Sequence, residues 1–188
     1  FNVMCYLFGL NRIFPESKTF SSDELDYWDH QNSATVDCLS GACIMVRKEI
    51  VDKMGGFDEN TFMYSEDRDL CFRILQDGWK IYYLSDDVII HYQGSATEKA
   101  HNTNFSIIMS KQANYYFFHK HYGRAHAGMF RFITAVGSLS RIFITPLVIP
   151  LSSLKFIKKD RNHIEIINKY STIFLWSLGL QSRDNNTR

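Results

Sequence analysis

Glycine punctuates residues 48–84, and this limits the fold more than any other feature of the chain. Lys48–Met54 reads as a short helix stopped by Gly55-Gly56. A second helix is expected over residues 66–77, with Leu70, Cys71, Ile74 and Leu75 on one face and Gly78 just past its end. Residues 79–84 and 88–91 read as strands separated by the Ser85-Asp86-Asp87 turn. Upstream, residues 39–46 read as a buried strand in which Gly41 allows close approach of backbone or ligand. The order strand, helix, helix, strand, strand predicts part of an α/β domain. Residues 15–37, polar and turn-rich, read as a surface loop.

Beyond residue 104 the period becomes helical. Phe105, Ile108, Met109, Gln112, Ala113, Tyr116 and Phe117 form one run, and Met129, Phe132, Ile133, Val136, Leu139 and Phe143 a second. Residues 164–180 are strongly apolar and lead into a polar tail. No stretch of 18 purely apolar residues exists; residues 142–154 come nearest and are interrupted by Pro146 and Pro150. Charge follows the same division. Residues 1–98 hold 8 Lys+Arg against 17 Asp+Glu, and residues 99–188 hold 13 against 3, so a net of −9 and a net of +10 cancel to +1. Two regions with different partners are therefore expected, 1–98 and 99–188. With 45% hydrophobic residues the chain is not disordered. Cys5, Cys38, Cys43 and Cys71 form no C-x-x-C pair and read as reduced, buried thiols of a cytosolic protein. The start at Phe1 reads as that of a piece of a longer chain.

The densest candidate chemistry is Ser65-Glu66-Asp67-Arg68-Asp69. Part of it has a purely local explanation. Ser65 is a good N-cap, and each carboxylate in a first helical turn gains about 0.3–1 kcal/mol from the helix dipole. Asp67 and Asp69 lie about 200° apart around a helix, so they are not expected to grip one cation. His91 ends a candidate strand before a polar turn. His119, His121 and His126, spaced by two and five, do not share a helix face and are discounted as a metal cluster.

These pieces also follow one another in a compound pattern. Gly41-Ala42-Cys43-Ile44-Met45-Val46-Arg47 precedes Gly55-Gly56-Phe57-Asp58-Glu59. Phe62-Met63-Tyr64-Ser65-Glu66-Asp67-Arg68-Asp69-Leu70-Cys71-Phe72-Arg73 comes next, then Gly78-Trp79 and His91-Tyr92-Gln93-Gly94-Ser95. The pattern resembles the C-terminal half of family 2 glycosyltransferases with the GT-A fold, especially rhamnosyltransferase-like enzymes of bacterial surface-polysaccharide assembly. It is dense over residues 37–95, and Tyr115-Tyr116-Phe117-Phe118-His119-Lys120-His121-Tyr122-Gly123 resembles the family's following helix.

The resemblance implies an incomplete GT-A domain over 1–98, on its acceptor side, followed by a helical region over 99–188. It implies Asp67 as general base, with Glu66 beside it positioning the acceptor, in a single displacement that inverts the anomeric carbon. It further implies that Gly41, Ala42, Tyr64, Arg73 and Trp79 border substrate. The donor would be a nucleotide-sugar and the acceptor a lipid-linked molecule or glycan. Mg²⁺ or Mn²⁺ would neutralise the leaving diphosphate. Its main ligands would come from an N-terminal half with a D-x-D motif, absent here, and His91 would contribute. Without that half, little activity is expected of this chain alone. No Gln-x-x-Arg-Trp motif of processive members appears, which favours transfer of one sugar.

Two readings of the basic region stay open. Arg131, Arg141, Lys155, Lys158, Lys159 and Arg161 flank apolar faces suited to an anionic membrane surface, at the inner face of the cytoplasmic membrane. Alternatively the same faces are buried in a helical subdomain. A nucleic-acid-binding module or a non-catalytic membrane-peripheral scaffold is the rival function; no recognisable nucleic-acid motif supports the former.

Overall fold

The computed structural model describes residues 17, 28–61, 63–91, 103–152 and 163–180. Their element order is β1 (Ala34–Val36), α1 (Lys48–Met54), α2 (Glu66–Gln76), β2 (Ile81–Tyr83), α3 (Thr103–Ser152) and α4 (His163–Ser177). Helix predominates, and β1 and β2 form one antiparallel pair with Ala34 opposite Tyr83 and Val36 opposite Ile81. The expected boundary at residue 98 lies outside the described residues, as do Lys155, Lys158, Lys159 and Arg161.

The helices bounded by glycine form where the spacing predicts. In α1, Gly55 closes the C-terminus by donating its N–H to the Val51 carbonyl at 2.9 Å. Lys53 then bonds both oxygens of Asp77 at the far end of α2, at 2.6 and 2.7 Å, tying the two helix ends together. Ile50, Leu70, Cys71, Ile74 and Ile81 make a small buried core, with Val36, Leu39, Ile44, Val46, Met54 and Leu75 packed around it.

The strand expectations need correction. Residues 39–46 are a loop, because their backbone donors are taken locally and by a side chain rather than by a neighbouring strand. Cys43 N–H reaches the Ser40 carbonyl, Ala42 N–H the Ser40 hydroxyl, and Gly41 N–H the Asp67 carboxylate. Residues 88–91 are also irregular, with Val88 90% and Ile90 80% exposed, so nothing pairs or covers them among the described residues. The strand expected at 79–84 shrinks to Ile81–Tyr83, and its partner β1 lies inside the segment read as a loop. That pairing is fixed beside the ladder: Trp28 and His30 pack on Tyr83, and Ser85 N–H bonds the Ser33 hydroxyl at 3.0 Å. The cysteines agree with expectation only in part, and Cys5 lies outside the described residues. Cys71 is buried, whereas Cys38 and Cys43 are exposed free thiols.

The two periodic runs of the basic region belong to one long element, bent at Gly123. There φ is 83° and ψ 178°, a combination open essentially to glycine alone, so the residue converts one straight helix into two arms. The helix continues through Pro146 and Pro150 to Ser152. Met109, Ala113, Phe117, Ala127, Phe130, Ile173 and Trp176 are buried in this helical region, and α4 packs along α3. Arg131 bonds the Trp176 and Ser177 carbonyls at 2.9 and 3.2 Å, capping the C-terminus of α4. Its guanidinium also lies over the Tyr115 and Trp176 rings. The membrane-facing role expected of Arg131 is thus met by a structural one that occupies two of its nitrogens.

Candidate active site

The chain enters α2 through two consecutive residues in left-handed conformation, Tyr64 (φ 67°) and Ser65 (φ 65°). For residues with a Cβ this costs about 1–2 kcal/mol each, so surrounding contacts must hold the turn. Ser65 therefore does not act as the expected side-chain N-cap; its carbonyl accepts the Asp69 N–H at 2.9 Å, while its hydroxyl makes no capping bond. The turn sets Glu66 and Asp67 at the mouth of the helix.

Asp67 Oδ2 accepts the Gly41 N–H at 2.9 Å, and Oδ1 accepts the Arg68 N–H at 2.7 Å. A carboxylate has about four lone-pair sites, so acceptor capacity remains on both oxygens after these two bonds. A Cβ on Gly41 would lie 3.4 Å from the Asp67 Cβ and 3.6 Å from Oδ2. The missing side chain at Gly41 thus accommodates Asp67 itself, a more specific reason than room for substrate. Ala42 follows on the same exposed turn. One Glu66 oxygen, Oε2, is buried with no hydrogen-bond partner among the described residues, beside the carboxylate it was expected to assist.

Asp69, two residues on, faces elsewhere. It is 3% exposed and bonds Arg73 Nε (2.8 Å), Lys120 Nζ (2.8 Å) and His121 Nε2 (2.7 Å). Burial alone would raise its pKa, but the bonds from Lys120, His121 and Arg73 outweigh burial and hold it below the usual carboxylate value. Lys120 also bonds Asp58 at 2.6 Å, and Tyr116 donates its hydroxyl to the same Asp58 oxygen at 3.1 Å. The Lys120 bond, with those from Asn60, holds Asp58 well below its ordinary pKa despite opposing burial. This network joins the acidic part of the chain to the first arm of α3, and Arg68 over the Phe117 ring at 4.1 Å adds a second link.

The remaining site expectations separate accordingly. Arg73 donates to Asp69 and to the Met54 and Gly56 carbonyls, both at 2.7 Å, so its guanidinium staples the α1–α2 connection and does not open towards a substrate. Trp79 is held by Asp77 through its indole N–H at 3.1 Å, lies beneath Arg47, and lines an open apolar cleft of about 530 Å³ with Leu39, Ile44 and Ile74. Tyr64 borders a different cleft, between α3 and α4. His91 is exposed on irregular backbone, at the end of the described segment 63–91. Among the described residues no three His, Cys, Asp or Glu side chains converge, and the two nearby aspartates point to different partners. They do not fit a divalent cation, so no chemical step is derived through one. The Lys120–Asp58–Asp69 network escaped the sequence reading; the only signal was Lys120 and His121 adjacent on a helix, which says nothing about a partner 51 residues away.

Asp67 is thus a carboxylate in the first turn of α2, just past a strained turn and bonded to the backbone of the Gly41 loop. Residues 16–110 match the family described as glycosyltransferase like family 2, and the chain belongs to that family. This membership implies a nucleotide-sugar transferase fold of the GT-A kind, to which the described residues contribute a helix-rich part. Among curated proteins the chain is similar to an N-acetylglucosaminyl-diphospho-decaprenol L-rhamnosyltransferase of Mycobacterium tuberculosis, at 40% identity over 62 residues, covering 33% of this chain and 20% of the relative. It is also similar to the rhamnosyltransferase WbbL of Escherichia coli K12, at 29% identity over 90 residues, covering 48% of this chain and 30% of the relative. The chain therefore matches well under half the length of either relative. No solved structure matches it.

Proposed function

We propose that this chain is the acceptor-side part of an inverting glycosyltransferase that moves one sugar, of the rhamnosyl class, from a nucleotide-sugar to a lipid-linked diphosphate acceptor in cell-surface polysaccharide assembly. The observation that carries the proposal is the Asp67 carboxylate, positioned by the Gly41 N–H at 2.9 Å within the segment that matches the family. Asp67 takes the proton from the acceptor hydroxyl as that oxygen attacks the anomeric carbon, and the nucleoside diphosphate leaves from the opposite face. Glu66, beside Asp67 in the first turn of α2, orients the acceptor. Mg²⁺ or Mn²⁺ held by the nucleotide-binding part of the full-length protein would serve the leaving group.

The test is sugar transfer by the full-length protein with Asp67→Asn beside wild type. Loss of about 10²–10⁴-fold in kcat is expected for removal of a general base, and comparable turnover in both would remove Asp67 from this role.

The second arm of α3 supports a membrane-peripheral location. Met129, Phe132, Val136, Leu139 and Phe143 are all exposed and recur every three or four residues, so they form one apolar stripe. Among the described residues nothing covers this stripe. By length and composition Asn104–Ile144 is apolar enough to cross a bilayer. The cations at Lys111, Lys120, Arg124, Arg131 and Arg141 favour lying along the interface instead, because charge at the bilayer centre is costly. Flotation on vesicles with anionic lipid, lost in the Phe132→Ser/Phe143→Ser double variant, is the expected result; equal flotation of both would refute this location.

A further inference from the structure

Cys38 and Cys71 lie 33 positions apart in sequence and meet in the fold. The Cys71 sulfur, on a side chain only 2% exposed, accepts hydrogen bonds from the Cys38 thiol and from the Leu39 N–H. The Cys38 thiol also reaches the Leu39 carbonyl at 3.5 Å, and Leu39 packs on the small core to which Cys71 belongs. Two residues further along the same loop, the Gly41 N–H bonds Asp67, which stands one helical turn before Cys71 on α2. Residues 38–41 thus run along α2 from Cys71 back to Asp67, held at one end by a pair of thiols and at the other by a carboxylate. Both thiols are free, and Cys38 is exposed.

We infer that Cys38 and Cys71 form a reversible disulfide on exposure to a small-molecule disulfide such as oxidised glutathione, and that the new bond clamps the Gly41 loop onto α2. The exposed Cys38 is the point of entry. Its thiolate attacks one sulfur of the oxidant, whose S–S bond breaks and frees one small thiolate. The Cys71 thiolate then attacks the Cys38 sulfur; the bond between the two cysteines forms and the second small thiolate leaves. The two protons of the pair pass to the departing thiolates, so the pair loses two electrons and the oxidant gains them. The hydrogen bond from Cys38 brings the Cys71 thiol down to about 7, against burial and the negative charge of Asp67, and gives the resolving group thiolate character at neutral pH. The same bond, with burial, raises Cys38. Entry is therefore the slow step and resolution the fast one, and the mixed disulfide does not accumulate. Because the clamp lies one turn from Asp67, it also fixes the Gly41 N–H that holds the carboxylate.

Incubation of the full-length protein with oxidised glutathione, followed by alkylation, digestion and mass mapping, tests this. A linked Cys38–Cys71 peptide that dithiothreitol reverses is the expected product. Cys43→Ser removes the other exposed thiol of this region and should leave the yield unchanged, whereas Cys38→Ser, also at an exposed position, should abolish it. In the oxidised protein, amide exchange over residues 39–46 should slow at least about tenfold relative to the reduced protein, and the same oxidant should slow nothing in Cys38→Ser. Cys38 recovered chiefly as a glutathione mixed disulfide, a bond to Cys43 in place of Cys71, or no oxidation at all overturns the pair. Cross-linking with unchanged exchange overturns the clamp. None of these readouts involves sugar transfer, so an active Asp67→Asn protein would remove the proposed function and leave the disulfide in place.

Discussion

The acidic part of the molecule and its helical part are held together in opposite ways. Around Asp67 few residues are buried: a core of five, an irregular 39–46 loop, and apolar side chains such as Met45 left 99% exposed. Precision there comes from polar bonds to backbone, with Gly41 on Asp67 and the Met54 and Gly56 carbonyls on Arg73. The α3–α4 region instead packs aromatic and small side chains along two helices, and some of its buried hydroxyls bond within their own helix, as Ser138 does to the Thr134 carbonyl at 2.7 Å. The carboxylate proposed as general base sits in the loosely packed part, and the network of Asp58, Asp69, Lys120 and His121 anchors that part to the well-packed one. A reactive group needs exact placement but also an open approach, and anchoring from one side supplies both.

The comparison can be broken most directly at the two aspartates. Asp67→Asn should cost activity by the factor given above while shifting the melting temperature little, since among the described residues Asp67 takes no part in the buried ion pairs that Asp69 makes. Asp69→Asn should do the reverse. Removing one charge of a buried cluster costs about 3–5 kcal/mol, so urea unfolding should show a lower midpoint, with transfer falling only as far as the folded fraction falls. Equal stability of Asp69→Asn and wild type would show that the two regions are not joined through this network. Lys120→Met should lie just below it, at about 2–4 kcal/mol, because the lysine side chain keeps 27% exposure.

Acid and base should dissolve the anchor from both sides. Asp58 and Asp69 have depressed folded-state values. The stability they contribute is present above the unfolded carboxylate value of about 3.9 and is lost as pH falls through their lower folded values. Lys120 is raised, because its bonds to Asp58 and Asp69 outweigh burial. Its contribution is present below about 10.4 and is lost as pH rises through the higher folded value. Denaturation midpoints should therefore plateau between about pH 5 and pH 10 on account of this cluster, and Lys120→Met should flatten both limbs. An unchanged pH profile in that variant would remove the cluster from the acid and alkaline response. The smallest effect belongs to the exposed Lys48–Asp52 pair, whose 2.7 Å contact should be worth about 0.3–0.5 kcal/mol or less. A larger loss in Lys48→Ala would mean that α1 has a structural role its exposure does not suggest.

Much of this molecule was legible before any coordinates. Helix α1 runs over the predicted residues and α2 ends one residue short of them, because glycine stops and apolar spacing are local signals. The ordered motifs from Gly41 to Ser95 led to the family, which the match over residues 16–110 shows. Strands were read poorly. A run such as residues 39–46 has the composition of a strand, but a strand exists only where another chain segment offers a ladder, and here the backbone donors go to Ser40 and Asp67 instead. The small Ala34–Val36 strand sat unnoticed among polar neighbours for the same reason, since its partner lies 47 residues further on.

By itself the sequence determined where the helices lie, that acidic residues crowd the entry to α2, and that the charge divides between two halves. Only the tertiary structure decided which acid is which. Asp67 and Asp69 are the same residue type on the same turn with the same dipole behind them. One meets a backbone N–H from 26 residues upstream and keeps acceptor capacity on both oxygens; the other meets Lys120 and His121 from more than 50 residues downstream and is sealed by them. Local sequence sets the propensity of a segment and the chemistry of its side chains. Whether a carboxylate is held as an anchor or left accessible depends on which distant groups the fold brings within 3 Å.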